Sequence, residues 1–276
     1  MQYLWICAAL AFLLAAVLGR VLIPILRRLK FGQEIREEGP KWHEKKSGTP
    51  TMGGFIFLIA MVIALPAAMA AGNALGEMVP GVRPVLMLVV VTLAFAAIGF
   101  LDDYIKVILK RNLGLTASQK FGLQFLVALA YVSWAVFGKN IDTVVRIPFT
   151  EASWNLGWFF IPFAVIVILA TVNSVNLTVA VFFLLVSTVG RLFNPAVALF
   201  SSAMIGGLLG FLLYNKYPAK VFMGDTGSLA LGGAVCGMAI LLEEPLALLI
   251  VGFVYVMESL SVIMQVTSYQ LTGKRI

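Results

Sequence analysis

Apolar segments of about 20 residues recur along the whole chain, and they limit its fold more than any other feature. This is the length that an α-helix needs to cross a bilayer. Hydrophobic residues make up 61% of the 276 residues and charged residues only 12%, which excludes a soluble globular domain. The sequence therefore predicts an all-α polytopic membrane protein, with one transmembrane domain over residues 1–276. We place nine spans at 3–26, 53–71, 84–101, 119–137, 157–172, 179–189, 195–214, 226–242 and 245–269.

The distribution of basic residues predicts the orientation of these spans. Fifteen lysines and arginines lie in the segments after odd-numbered spans, and four lie in the segments after even-numbered spans. Because basic residues concentrate on the cytoplasmic side, we place the N-terminus outside and the odd-numbered connections in the cytoplasm. The same bias accounts for the net charge of +7, so we expect contact with membrane lipid and no binding of nucleic acid.

The sixth predicted span is too short to cross a bilayer. Residues 179–189 would form a helix of about 16 Å, roughly half the hydrocarbon thickness. We expect that the sequence lacks segments near 178–179, near 189–195 and after residue 276; a re-entrant element is the alternative for the short span. Inside other spans, the glycine pairs Gly53-Gly54, Gly206-Gly207 and Gly232-Gly233 predict close helix packing. Cys7 and Cys236 also lie in spans, which predicts buried, inert thiols.

Four polar groups fall at the predicted cytoplasmic face, and together they indicate chemistry. Carboxylates from separate helices beside lysines and amides are what a site for Mg²⁺ and a diphosphate requires. The first two groups are Lys45, Lys46 and Thr49-Pro50-Thr51-Met52-Gly53-Gly54, and Asp102, Asp103, Lys106 and Lys110. The others are Asn173, Asn176, Leu177 and Thr178, and the segment Lys220–Ser228, which contains Phe222, Gly224 and Asp225.

Each group also has a plainer interpretation. Asp102 and Asp103 could be solvated or paired with Lys106, and Asp225 could cap the helix that it begins. Asn173 and Asn176 share a helical face and could hold two spans together. Lys45 and Lys46 are typical of a lipid-facing basic loop. Outside the four groups, His43, the only histidine, is typical of an exposed loop residue, and Glu258 is typical of a hydrogen bond inside a span.

Taken together, the motifs resemble those of the phospho-N-acetylmuramoyl-pentapeptide transferases, in the polyprenyl-phosphate N-acetylhexosamine-1-phosphate transferase superfamily. The matching blocks are Thr49–Gly54, Phe100-Leu101-Asp102-Asp103-Tyr104 and Pro218–Gly233, in order and at suitable positions in the spans. The resemblance implies a ten-span enzyme of peptidoglycan synthesis in the bacterial inner membrane. Its reaction transfers the phospho-sugar of UDP-N-acetylmuramoyl-pentapeptide to undecaprenyl phosphate and releases UMP. A homodimer stays open.

The resemblance also implies residue roles. Asp225 corresponds to the Mg²⁺ ligand, and Asp102 and Asp103 correspond to an acidic pair that binds or deprotonates the lipid phosphate; we favour positioning or weak base catalysis for Asp102. Lysines near the pyrophosphate correspond to Lys106 and Lys110. The nucleoside pocket corresponds to Lys46, Asn176, Leu177, Phe222 and Gly224, with Phe222 stacking on uracil; Thr51 and Asn173 complete the predicted substrate-binding set.

The chain departs from this family pattern at two places. Thr178 is followed by Val179, where the family continues into Asp-Gly-Leu-Asp-Gly, and a histidine-rich loop and a tenth span are absent after Ile276. Either the sequence lacks these segments, or this form is inactive. The alternatives are a related transferase with a smaller sugar nucleotide, a non-catalytic scaffold, and a transporter or channel with an acidic ion path. The transporter would spread its acids through the membrane depth.

Overall fold

The computed structural model describes residues 1–29, 49–109, 114–148, 150, 152–173, 194–251, 257, 261, 264–265 and 268–269. Within these residues the fold is a helical bundle. The helices are α1 (Gln2–Arg28), α2 (Gly54–Ala74), α3 (Val82–Val107), α4 (Ala117–Phe137), α5 (Phe160–Thr171), α6 (Pro195–Asn215), α7 (Gly224–Leu241) and α8 (Pro245–Val251). Two strands, β1 (Val144–Arg146) and β2 (Ser153–Asn155), and a 3-10 turn at Gly157–Phe159 precede α5.

Six of the described helices are long and apolar enough to cross a membrane, namely α1, α2, α3, α4, α6 and α7. Their bounds follow the predicted spans closely, which confirms a polytopic helical membrane protein. The predicted span 157–172 corresponds to the 3-10 turn and α5 together, an apolar helix over Gly157–Thr171 that is shorter than the six. The predicted span 179–189 and about half of the predicted span 245–269 lie outside the described residues, so the total of nine spans stays a prediction.

Small residues allow the helices to pack closely. A Cβ atom at Gly206 would lie 2.1 Å from the carbonyl oxygen of Ala8, so α1 and α6 touch through their backbones. A Cβ atom at Gly232 would lie 2.1 Å from the carbonyl oxygen of Val172, and one at Gly54 would lie 2.5 Å from the Cα of Gly227. These contacts confirm the prediction that the glycine pairs serve packing. Cys7 and Cys236 are fully buried, as predicted.

The starts of α2, α4 and α7 and the C-terminus of α3 lie together at one end of the bundle. Gly54 at the start of α2 contacts Gly227 near the start of α7. Lys120, near the start of α4, donates a hydrogen bond to Asp225, which lies at the start of α7 like Gly227. Asp102 and Asp103 are near the C-terminus of α3 and join the same region. We call this region the site end. All the predicted acidic site residues therefore lie together and are not spread along the spans.

The opposite end carries the one departure from an all-α fold in the described residues. β1 and β2 pair antiparallel, with Val145 opposite Trp154. The backbone N–H of Arg146 donates to the carbonyl oxygen of Glu243, and its guanidinium lies 3.4 Å from the Glu243 carboxylate. The predicted all-α fold is therefore wrong for this short segment. The two strands pair with each other, and Glu243 holds the first of them from a distant part of the chain.

Candidate active site

Two of the predicted motifs pair through their backbones at the site end. The N–H of Gly53 donates to the carbonyl oxygen of Phe222 at 2.8 Å. The N–H of Phe222 donates to the carbonyl oxygen of Pro50, also at 2.8 Å. The N–H of Gly54 donates to the carbonyl oxygen of Met223 at 3.0 Å. Because backbone hydrogen bonds are insensitive to side-chain type, this pairing fixes the start of α2 against the start of α7.

Gly224 joins these two segments to α3. Its φ of +73° is a conformation that favours glycine. A Cβ atom there would lie 2.5 Å from Asp103 Oδ2 and 2.7 Å from Thr51 Oγ1, so both predicted site residues border it directly. The Thr51 hydroxyl is buried and has no hydrogen-bond partner among the described residues. A side chain at position 224 would therefore separate elements that the site holds together.

Asp103 caps the N-terminus of α7. Its Oδ1 accepts the N–H of Asp225 at 3.1 Å. Its Oδ2 accepts the N–H and the hydroxyl of Thr226 at 2.9 and 2.7 Å. The free N–H groups and the positive end of the helix dipole stabilise such a carboxylate. The sequence interpretation in which Asp225 caps its own helix is wrong, since the cap comes from α3 and α7 has no side-chain cap at its own N-cap position.

Replacing Thr226 by valine is expected to weaken this cap. The change removes a hydrogen bond to a buried carboxylate, so we expect the free energy of unfolding to fall by about 2 kcal/mol. Titration with a denaturing detergent measures it. Thr92→Val is the matched control, because Thr92 is equally buried and its hydroxyl donates to Leu88 in its own helix. Equal losses in the two variants would contradict the assigned cap.

Asp102 and Asp225 share two lysines. Lys106 Nζ lies 2.5 Å from Asp102 Oδ2 and 3.0 Å from Asp225 Oδ2. Lys120 Nζ lies 3.1 Å from Asp225 Oδ2 and 3.8 Å from Asp102 Oδ2. Asp102 is 2% exposed, and its other oxygen accepts the N–H of Leu115 at 2.8 Å. We call the side chains of Asp102, Lys106, Lys120 and Asp225 the charge quartet. Its two positive and two negative formal charges cancel.

Sequence reasoning did not select Lys120 as a site residue. It counted this lysine only as a cytoplasmic charge, yet the side chain contacts both carboxylates of the charge quartet. A signal was present, because Gln124 follows four residues later and α4 therefore carries two polar groups on one face. Gln124 is buried, and its amide exchanges hydrogen bonds of 2.9 and 3.0 Å with the amide of Asn173. This pairing matches the interpretation of Asn173 as a link between spans.

The remaining predicted site residues divide into two groups. Phe222 is half-buried and is positioned by its backbone pairing with Pro50. The others lie outside the described residues, and their roles stay predictions: Lys45, Lys46, Lys110, Asn176 and Leu177. His43 and Glu258, for which the sequence predicts no role in the site, also lie outside the described residues.

The charge quartet fits a divalent cation. Asp102 and Asp225 both reach the same ammonium nitrogens, so their Oδ2 atoms lie within the reach of one cation. Mg²⁺ prefers oxygen ligands and commonly takes only one or two carboxylates, with water and substrate phosphates completing its shell. The described residues contain no cluster of three or more metal-ligating His, Cys, Asp or Glu side chains. A pair of carboxylates is therefore the donor set that these residues offer.

Comparison with known proteins adds family information to this geometry. The model of Glycosyl transferase family 4 matches residues 85–243. The phospho-N-acetylmuramoyl-pentapeptide-transferase signature 1 matches residues 46–58, which include the backbone-paired Thr49–Gly54 segment. The family match thus includes Asp102, Asp103, Lys106, Lys120 and Asp225.

Similar proteins cover almost the whole chain. A phospho-N-acetylmuramoyl-pentapeptide-transferase of Shouchella clausii is 47% identical over 97% of this chain and 83% of its own length. Proteins of the same name from Bacillus cytotoxicus and Bacillus thuringiensis are each 46% identical, over the whole of this chain and 86% of their own length.

Proposed function

Because the chain belongs to the phospho-N-acetylmuramoyl-pentapeptide-transferase family, we propose that it transfers phospho-N-acetylmuramoyl-pentapeptide from the UDP-linked precursor to undecaprenyl phosphate and releases UMP. The observation that carries this proposal is the charge quartet at the site end, formed by Asp102, Lys106, Lys120 and Asp225. A site that handles a diphosphate and a lipid phosphate needs cationic groups beside carboxylates, and the quartet supplies both.

The chemistry is a substitution at phosphorus. An oxygen of the lipid phosphate forms a bond to the β-phosphorus of the UDP-linked substrate. The bond between that phosphorus and the bridging oxygen breaks, and UMP leaves with the electron pair. The lipid phosphate is already an anion at neutral pH, so the reaction needs no strong base. We therefore assign Asp102 to positioning the acceptor, a role that it can fill as a carboxylate beside the proposed metal. Weak base catalysis is the alternative, in which Asp102 does not hold the metal.

The protein's own residues supply charge and position. Lys106 and Lys120 neutralise charge that develops on the phosphoryl oxygens in the transition state. Asp103 holds the N-terminus of α7, which places Asp225 against the two lysines. Phe222, held by its backbone next to Gly224, is the candidate to stack on uracil.

We propose Mg²⁺ as the cofactor, held by Asp225 with Asp102 as the second carboxylate. The ion would neutralise the diphosphate and stabilise the leaving UMP. The support for it is the donor set described above, in which two carboxylates from α3 and α7 come within reach of one cation.

The site end is proposed to face the cytoplasm, with the protein in the bacterial inner membrane. The support is the excess of lysine and arginine in the connections at this end. A homodimer stays a prediction.

Labelling of single cysteines tests this orientation. We expect a membrane-impermeant maleimide to label Ser153→Cys in intact cells and Lys216→Cys only after lysis, because both positions are exposed at opposite ends. Cys7 and Cys236 are fully buried and can stay in the protein as unreactive internal controls. Labelling of Lys216→Cys alone in intact cells would reverse the orientation.

The function itself is tested with purified protein in detergent. We expect UMP release and formation of the lipid diphosphate when UDP-N-acetylmuramoyl-pentapeptide, undecaprenyl phosphate and Mg²⁺ are all present. Removal of the metal with EDTA should abolish both products, and re-addition of Mg²⁺ should restore them. UDP-N-acetylglucosamine in place of the peptide-bearing donor should give no product. Turnover with this smaller donor alone would favour the related transferase instead.

A further inference from the structure

The four side chains of the charge quartet compensate one another's charge. Lys106 and Lys120 each lie within 4 Å of both Asp102 and Asp225, and two positive charges balance two negative ones. Asp102 is almost completely buried, so it depends on these lysines and on the N–H of Leu115 for compensation. A buried carboxylate that loses its partners is costly.

The two lysines are the exchangeable members of the quartet. Their side chains are 37% and 27% exposed, so each ammonium can turn outward on its flexible four-carbon stem. The carboxylate of Asp103 differs, because its donors are the backbone of α7 and the Thr226 hydroxyl. Exchange is therefore confined to the shared Oδ2 atoms of Asp102 and Asp225.

A divalent cation would bind the two carboxylates of this quartet, and a diphosphate would bind its two lysines. Binding of the cation to Asp102 and Asp225 displaces the ammonium groups and leaves two positive charges without a partner. Binding of a diphosphate to the lysines leaves two carboxylates without a partner, one of them buried. When both ligands bind, each charge has an opposite charge next to it, so neither cost arises.

We propose that Lys106 and Lys120 act as exchangeable counter-cations, which move from the carboxylates to the diphosphate as the metal binds and so make the two ligands bind with positive coupling. This inference rests on the proposed function, since it concerns the same metal and diphosphate. By reciprocity, the diphosphate strengthens metal binding by the same factor by which the metal strengthens diphosphate binding.

The test measures binding without turnover. The free Mn²⁺ signal in electron paramagnetic resonance gives the Mn²⁺ affinity of the full chain in detergent, with and without uridine diphosphate. Protein-free titrations correct for Mn²⁺ bound to the nucleotide. In the wild type we expect uridine diphosphate to tighten Mn²⁺ binding about tenfold or more.

The lysine variants distinguish exchange from ordinary charge attraction. In Lys106→Gln and Lys120→Gln, Mn²⁺ alone should bind about fivefold more tightly, and the coupling should fall to about twofold or less. Lys216→Gln is the matched control, because Lys216 is exposed and forms no ion pair within the described residues. Size-exclusion chromatography verifies that each variant is folded.

A mirror variant covers the case in which both lysine variants fail to fold. Asp102→Asn removes one of the two negative charges that pair with the lysines. In EDTA, we therefore expect uridine diphosphate to bind this variant more tightly than it binds the wild type. Two results would overturn the exchange and leave the proposed function intact. One is that the lysine variants bind Mn²⁺ with unchanged coupling to uridine diphosphate. The other is that Asp102→Asn binds uridine diphosphate in EDTA as the wild type does. A wild type that binds no Mn²⁺ in either condition would overturn the exchange and the proposed metal together.

Discussion

Asp225→Asn is expected to reduce UMP release by about 100- to 1,000-fold, the effect of removing one electrostatic element from a site of this kind. Asparagine keeps the size of the side chain and removes its charge. Asp225 is the residue that receives hydrogen bonds from both Lys106 and Lys120, at 3.0 and 3.1 Å, and it is the proposed metal ligand. The variant therefore loses the metal and leaves the lysines with Asp102 alone.

The assay compares initial rates of UMP release at saturating Mg²⁺ and both substrates. Asp142→Asn is the matched control, because Asp142 is an exposed aspartate at the opposite end of the bundle, and its activity should equal that of the wild type. Asp225→Asn should also show no recovery at higher Mg²⁺ concentrations. Retention of a tenth of the wild-type rate would contradict the role of Asp225.

The arrangement of spans was predictable from the sequence because hydropathy depends on local composition. Span 3–26 was observed as Gln2–Arg28, and span 195–214 as Pro195–Asn215. The hairpin β1–β2 was not predictable in the same way. Its first strand is held by Glu243, which is about 100 residues away in sequence and meets Arg146 only in the folded chain.

The membership of the site was largely predictable, but the division of labour within it was not. Asp102 and Asp103 are adjacent in sequence, and consecutive residues of a helix point about 100° apart. The rotation of α3 against α7 therefore decides that Asp103 meets the start of α7 and Asp102 meets the lysines. No local pattern contains this rotation. The same holds for Lys120, whose partner Asp225 is 105 residues away.

The rotation of α3 is set by close backbone packing, and Gly99 is the residue that allows it. A Cβ atom at Gly99 would lie 2.0 Å from the carbonyl oxygen of Asp225 and 2.6 Å from the backbone nitrogen of Thr226. These are backbone atoms, so no side-chain rotation can relieve the clash. Asp103, one helical turn later, reaches the same two residues of α7. The close packing at Gly99 and the cap from Asp103 are thus two parts of the same contact between α3 and α7.

Gly99→Ala is therefore expected to separate α3 from α7. We expect the free energy of unfolding in a detergent titration to fall by about 3 kcal/mol, because overpacking against a fixed backbone is at the upper end of such costs. UMP release should fall as well, since the displaced helix moves Asp225 away from Lys106. Gly122→Ala is the matched control: a Cβ atom there meets nothing within 4 Å, and alanine favours a helix over glycine by up to about 1 kcal/mol. The same substitution should thus destabilise the protein at position 99 and leave it unchanged or stabilise it at position 122. Wild-type stability and activity in Gly99→Ala would contradict the close approach of α3 to Asp225.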